Sequence, residues 1–203
     1  MLTLYDYLPS GNGYKVRLLL TQLEIPFQRV EMDILAGATR MPDFLAKFPN
    51  GRIPAIELDD GQCLSESNAI LWYFAEGTRF LPGDSLERAQ VLQWMFFEQY
   101  SHEPFIAVSR FLRQHKAPSA ENDAVIAQKR DGGLAALQIM EDHLKDHSFL
   151  VGDHYSIADI ALYAYTHVAG DGGFDMVPFN GISAWLERVA AEAKHITIED
   201  EVG

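Results

Sequence analysis

The sequence predicts an α/β unit of order βαβ, short helix, ββα, followed by an all-helical unit. Three observations predict it. Up to residue 75, short apolar runs suited to strands alternate with runs at helical spacing. A breaker-rich segment, GTRFLPGDS at 77–85, then interrupts both patterns. From residue 86 onward strand signals nearly vanish and the apolar spacing is helical. The expected organisation is an α/β domain over 1–78, a linker over 79–85 and a helical domain over 86–203.

Residues 2–5 read as a strand with Leu2 and Leu4 on one face. Leu8-Pro9-Ser10-Gly11-Asn12-Gly13 is a loop by composition. Residues 14–23 place Val16, Leu19, Leu20 and Leu23 on one helical stripe, with Lys15 and Arg17 on other faces. Ile25-Pro26 ends that helix, because proline disfavours helical geometry in the residue before it. Residues 27–32 alternate as a second strand, which completes a βαβ crossover. A loop at 35–41 and a short helix at 43–47 follow.

The stretch 48–67, FPNGRIPAIELDDGQCLSES, organises the first domain. Pro49-Asn50-Gly51 is a turn signal, and Asp59-Asp60-Gly61 a hairpin turn between two short strands. Pro54 begins the first of these strands, where its missing N–H does least harm. A cis Ile53-Pro54 bond would turn the Ile53 N–H and C=O outward to pair with an extended peptide. Ser67 opens a helix over 68–75, where unpaired N–H groups and the helix dipole favour an anion. Glu66 beside it can hold an ammonium group. Ser65-Glu66-Ser67 reads equally as an ordinary helix cap, and Pro54 as an ordinary trans strand start.

In the second half, residues 86–114 form a long helical run that Pro104 should kink. Residues 120–147 carry Leu134, Leu137, Met140 and Leu144 on one stripe, weakened at Gly132-Gly133. Ser156-Ile157-Ala158-Asp159 matches a capping box, with Tyr155 and Ile160 placed as a hydrophobic staple. The helix that they start is apolar nearly all round, which predicts the buried centre of the helical domain. A last helix is expected over 182–193, then an acidic tail.

Composition narrows the function. Hydrophobic residues make up 48% of the 203 residues and charged residues 22%, an ordinary globular balance. A formal net charge of −13 argues against a nucleic-acid partner, which requires a basic face. No apolar run approaches the ~20 residues of a membrane-spanning helix, so no membrane partner is expected. The start, MLTLYDYLPSGNG, lacks the basic and apolar regions of a signal peptide. Cys63 is the only cysteine, which excludes an intrachain disulfide and is compatible with a reducing cytoplasm.

Four pieces, in this order, carry a family resemblance: Ser10-Gly11-Asn12-Gly13-Tyr14-Lys15-Val16-Arg17, Asn50-Gly51-Arg52-Ile53-Pro54-Ala55, Leu64-Ser65-Glu66-Ser67-Asn68-Ala69-Ile70 and Ser156-Ile157-Ala158-Asp159-Ile160-Ala161. Over nearly the whole chain the sequence resembles the cytosolic glutathione transferases, and is most similar to bacterial members with a Ser/Asn start. The resemblance implies a thioredoxin-like first domain, a C-terminal helical bundle, a cis Pro54 and a cytoplasmic homodimer. It implies glutathione as co-substrate, with no cofactor and no metal, bound through Ile53, Glu66 and Ser67. The implied activity joins the glutathione thiolate to a small electrophile. A glutathione-dependent disulfide reductase or peroxidase, and a non-catalytic glutathione-binding or interaction protein on the same scaffold, are the alternatives.

If glutathione lies along the Ile53 edge, its thiol points to Ser10 and Asn12 at the first helix start. Thiols have pKa values near 8.5, and helix N-termini and hydrogen-bond donors lower them. Ser10 and Asn12 are also residue types that simply form turns and caps. Tyr5 and Tyr7 are rivals, because other transferase classes use a tyrosine just after the first strand. Arg52 is expected to pair with the glycine carboxylate of glutathione or to be a solvated loop residue. Thr39 and Arg40 are expected to close over the ligand. Cys63 is expected as a small buried residue on an inner strand. His143 and His147, at i, i+4, read as a wet helix face, and Gly11-x-Gly13 lacks the rest of a dinucleotide fingerprint. Gln99-Tyr100-Ser101-His102-Glu103 is a polar face beside the kink, or a lining of the subunit or electrophile contacts that the resemblance implies. Trp94 and Phe97 are expected as exposed aromatics for a dimer, and Phe105, Phe111 and Tyr165 as electrophile-pocket residues.

Overall fold

A computed structural model describes residues 1–203. The chain divides into a unit of Met1–Thr78 with Ala193–Gly203, and a unit of Arg79–Glu192. The tail therefore departs from the expected 86–203 helical domain, and the expected linker at 79–85 falls in the second unit.

The first unit is built on a four-stranded sheet of order β2-β1-β3-β4, with β1 Leu2–Asp6, β2 Phe27–Glu31, β3 Ala55–Glu57 and β4 Cys63–Ser65. β1 and β2 run parallel, while β3 is antiparallel to both β1 and β4. The helices are α1 Gly11–Gln22, α2 Pro42–Lys47 and α3 Ser67–Ala75. The period of two along β1 sorts its side chains between two cores. Leu2 and Leu4 pack with Val16 and Leu20 of α1, Ile56 of β3 and Ile70 of α3. Tyr5 joins Phe44 of α2 and Phe48 on the other face, as edge-on rings 5.6 and 5.5 Å apart.

The tail is pinned to α1. Tyr14 Oη donates to the Ile196 carbonyl at 2.7 Å, and Arg17 donates to the carbonyls of Ile198 and Asp200 at 3.1 and 3.0 Å. With the sheet on one side and the tail on another, α1 is buried almost all round, and Lys15 and Arg17 have no exposed surface. The faces of α1 away from the Val16, Leu19, Leu20 and Leu23 stripe are therefore interior as well.

The second unit is helical: α4 Ser85–Phe97, α5 Glu103–His115, α6 Ala120–Leu144, α7 Ile157–Thr166 and α8 Asn180–Ala190. A π-helical turn, Glu98–His102, joins α4 to α5 at the expected kink. Pro104 supplies no N–H and crowds the turn before it, so the backbone there widens its hydrogen bonding. Every residue of α7 is buried, and the Ser156–Asp159 capping box forms. The Asp159 carboxylate accepts from the N–H groups of Leu150 and Ser156, the Ser156 hydroxyl and the Trp185 indole, all at 2.9–3.1 Å. The paired glycines of α6 leave room for aromatic rings. A Cβ on Gly132 would lie 2.2 Å from the Phe105 ring, and one on Gly133 2.3 Å from the Phe174 ring. No helix is long and apolar enough to cross a membrane.

Candidate functional site

β1 delivers the chain to a loop that is held on both sides. Asp6, fully buried at the strand end, accepts from Arg17 Nε at 2.8 Å and from the Tyr7 N–H at 2.7 Å. Burial pushes the Asp6 carboxyl up to about 6, against the opposing pull of Arg17. Burial likewise lowers Arg17 from its ordinary value, opposed by Asp6. A Cβ on Gly13 would sit 1.5 Å from Asp6 Oδ1, so only glycine admits the carboxylate beneath α1. Arg17 also donates to the Leu8 carbonyl at 2.7 Å, and Glu31 accepts from the Leu8 N–H at 3.1 Å. Ser10 thus arrives in a fixed place as the N-cap of α1. Its Oγ accepts from the Gly13 N–H at 3.2 Å, which leaves the hydroxyl hydrogen to donate elsewhere.

Asn12, in the first turn of the same helix, meets the start of α3. Its Oδ1 accepts from Lys15 Nζ at 2.8 Å and from the Ser67 hydroxyl at 3.2 Å, and Lys15 Nζ lies 3.3 Å from Ser67 Oγ. The fold brings Ser10, Asn12 and Ser67 to two adjoining helix N-termini, where backbone N–H groups lack helical partners. Lys15 is the member that sequence reasoning missed. The available signal was its i, i+3 spacing from Asn12, which sets the two on one side of α1.

The Ile53–Pro54 peptide is cis, at the entry to β3. Pro54 is buried and Ile53 half-buried, with Ile53 packed on the core of Phe44 and Phe48. The turn before it is braced where Arg40 donates to the Asn50 carbonyl at 3.1 Å. The Asn50 amide donates to Glu66 Oε1 at 3.3 Å. Glu66 is exposed and holds φ +72°, a conformation that costs a non-glycine residue ~1–3 kcal/mol and that concentrates at ligand sites. As N-cap of α3 it makes no side-chain cap bond, so the first turn of that helix keeps its N–H groups for another acceptor. Arg52 is exposed.

Several expected residues stand elsewhere or differently. Thr39 is 6% exposed within the 3-10 turn Ala38–Arg40. Tyr5 Oη donates to Glu57 at 2.9 Å across β1 and β3, and burial, then Glu57, raises its pKa. Tyr7 is half-buried in the loop before Ser10. Cys63 is exposed on the edge strand β4, its thiol 3.7 Å from the Gly61 carbonyl, which corrects the expected buried inner position. His143 and His147 stack in parallel with ring centroids 4.1 Å apart, a face-to-face arrangement that does not converge their nitrogens. Trp94 is buried and Phe97 half-buried, so the expected exposed aromatics are replaced by Phe96 and Tyr100, 69% and 86% exposed. In the polar stretch before Pro104, His102 is buried against Thr166, with Nε2 2.9 Å from Oγ1. Phe105 lies against Gly132, Phe111 packs beside His115 and Tyr165 is buried.

Comparison with known proteins gives two family matches: "Glutathione S-transferase, N-terminal domain" over residues 1–76 and "Glutathione S-transferase, C-terminal domain" over residues 94–193. A glutathione S-transferase structure from Pseudomonas fluorescens Pf-5 is 50% identical with a TM-score of 0.96, covering 98% of this chain and 99% of that one. A curated relative, the disulfide-bond oxidoreductase YfcG of Escherichia coli K12, is 32% identical over 93% of this chain and 90% of its own length. A glutathione transferase structure from Burkholderia graminis, with two glutathione molecules bound per subunit, is 26% identical with a TM-score of 0.83, covering 95% of this chain and 85% of that one.

Proposed function

The chain belongs to the glutathione S-transferase family, and from that premise we propose that it binds glutathione in the first unit and uses the thiolate as a nucleophile toward a small electrophile. The observation that carries the proposal is Ser10. Its hydroxyl oxygen is occupied by the Gly13 N–H, its hydrogen is available, and the α1 N-terminus lies behind it. A donor and a helix N-terminus acting on one sulfur favour thiolate over thiol, at ~1.4 kcal/mol per unit of pKa. Asn12 assists through the arrangement that it shares with Lys15 and Ser67. The γ-glutamyl end of the peptide is assigned to Glu66 and Ser67, the cysteinyl backbone to Ile53 beside Pro54, and the glycine carboxylate to Arg52. In the reaction a C–S bond forms, and the leaving group departs with its electron pair or the electrophile retains it. Glutathione is consumed as co-substrate, and the reading requires no cofactor.

A second reading is reduction of small or glutathione-mixed disulfides. It is favoured by the Escherichia coli relative, whose name is that of a disulfide-bond oxidoreductase. The glutathione thiolate would attack one sulfur of the disulfide, break the S–S bond and release the other sulfur as a thiolate. In either reading the nucleophile is the glutathione thiolate. A peroxide would be attacked similarly at its O–O bond. Calorimetric titration with glutathione, followed by turnover on electrophiles, disulfides and peroxides, separates these readings. No binding at millimolar glutathione would eliminate all of them. Binding without turnover would leave a non-catalytic glutathione-binding protein.

A cytoplasmic homodimer is part of the proposal. Phe96 and Tyr100, a helical turn apart and 69% and 86% exposed, are its support in this chain. Light scattering at micromolar protein should give twice the 22.8 kDa chain mass, and a monomer mass would refute it.

A further inference from the structure

A cavity of about 260 Å³ lies within the second unit, between α5, α6 and the chain that follows the 3-10 turn Ala169–Gly172. Arg113 enters from α5. Asp123, Ile126 and Arg130 enter from α6 at i, i+3 and i+7, which sets them on one helix face. The third wall, Gly172 to Phe174, is shaped by two absent side chains. Gly173 has φ +86°, and a Cβ there would come within 2.6–3.0 Å of the Arg113 guanidinium. The bare backbone lets that guanidinium lie against the wall. Further along α6, the lack of a side chain at Gly133 seats the Phe174 ring, which closes the back of the cavity together with Ile126.

The cavity brings together two arginines that have no carboxylate partner. Arg17, Arg29, Arg79 and Arg110 each have a carboxylate partner, and Arg40 and Arg188 donate to carbonyls. Arg113 and Arg130, like the exposed Arg52, have neither an ion pair nor a hydrogen bond, although the chain has a formal net charge of −13. Two guanidiniums facing one carboxylate, Asp123, leave a single positive charge. A guanidinium fork matches a carboxylate in a bidentate pair. The volume is below the ~300–1,000 Å³ of typical drug-sized pockets, which limits the occupant to a small molecule.

We propose that this cavity binds a small organic monoanion, a carboxylate on a compact apolar body, with the carboxylate between Arg113 and Arg130 and the body on Phe174 and Ile126. The single surplus charge selects a monoanion over a dianion such as phosphate.

The test uses the full chain with benzoate and inorganic phosphate as probes, followed by calorimetry and by amide NMR. Benzoate should bind saturably, more tightly than phosphate, and shift the amides of Gly172 and Gly173. Saturating glutathione should leave that binding unchanged. Arg113→Gln and Arg130→Gln should each weaken it roughly tenfold, the loss expected for one charge-assisted hydrogen bond. Both arginines are exposed, so unchanged thermal unfolding should accompany the weaker binding. If a variant does unfold, the amide map of the unaltered chain decides. The proposal fails if benzoate does not bind, if phosphate binds more tightly, or if glutathione displaces benzoate. It fails too if both folded variants keep the original affinity, or if the shifted amides lie away from Gly172 and Gly173.

Discussion

Lys15 donates to Asn12 Oδ1 at 2.8 Å from a position with no exposed surface. A buried ammonium therefore sets the rotamer of the residue proposed to assist the glutathione thiolate. Lys15→Met keeps the volume and removes the charge. It should cost ~1.5–3 kcal/mol of stability, as for other hydrogen bonds to charged groups. It should also free the Asn12 and Ser67 side chains and weaken glutathione binding. Urea unfolding and calorimetric titration measure the two effects. A Lys15→Met protein with unaltered glutathione affinity would show that this bridge is purely structural.

The thiolate assignment rests on Ser10 against Tyr5. Ser10→Ala removes one donor to an anion, so the pKa of bound glutathione should rise by roughly one to two units. Loss of the N-cap should separately cost ~1 kcal/mol of stability. Tyr5 Oη is engaged with Glu57 at 2.9 Å, so Tyr5→Phe should leave the titration in place. Thiolate absorbance of the bound ligand against pH, for Ser10→Ala, Asn12→Ala and Tyr5→Phe, orders the three. A shift confined to Tyr5→Phe would refute the assignment, and a larger shift in Asn12→Ala than in Ser10→Ala would reverse their roles.

Asp159 provides a pH dependence of folding. Burial raises its carboxyl to about 6, against its four hydrogen-bond donors from Leu150, Trp185 and Ser156. The unfolded value is ~3.9, so between the two values the folded chain holds a proton that the unfolded chain has lost. The contribution of this group is present below ~4 and falls away as pH rises through about 6, by up to ~3 kcal/mol. In Asp159→Asn that limb should vanish, although the variant should be less stable throughout because buried donors lose an acceptor. The difference between the two proteins in urea, followed from pH 4 to 7, reads the effect. A constant difference across that range would contradict it.

The tail should stabilise the helix that carries the candidate site. Deleting residues 195–203 removes the Ile196 acceptor of Tyr14 and the Ile198 and Asp200 acceptors of Arg17. Each bond to the guanidinium contributes ~1.5–3 kcal/mol, and Arg17 would remain charged with Asp6 and Leu8 alone. Amide exchange in Gly11–Gln22 should accelerate, and the unfolding temperature should fall. Unchanged exchange in this helix would show that the tail is a passive covering.

The elements, their order and the capping box at Ser156–Asp159 were legible because they are written in local spacing: a period of two for strands, near four for helices, and breakers between them. The Ser10 cap and the turn at Asn50-Gly51 were legible for the same reason. Burial was not, because it depends on which distant segments cover a surface. Cys63 sits in a short strand beside Leu64, yet the sheet order leaves that strand at an edge and its thiol exposed. The spacing around Trp94 suits an exposed aromatic, yet the packing of the helical unit buries it. Lys15 and Arg17 occupy the polar side of an amphipathic pattern. The start of α3 meets Lys15 through Ser67, and the return of residues 193–203 to the first unit, some 180 positions later, covers Arg17. The sequence alone determined the local conformations and the residue types at the site. The tertiary structure decided which charges lost their water, and so which side chains now hold Asn12 and Ser67 in place.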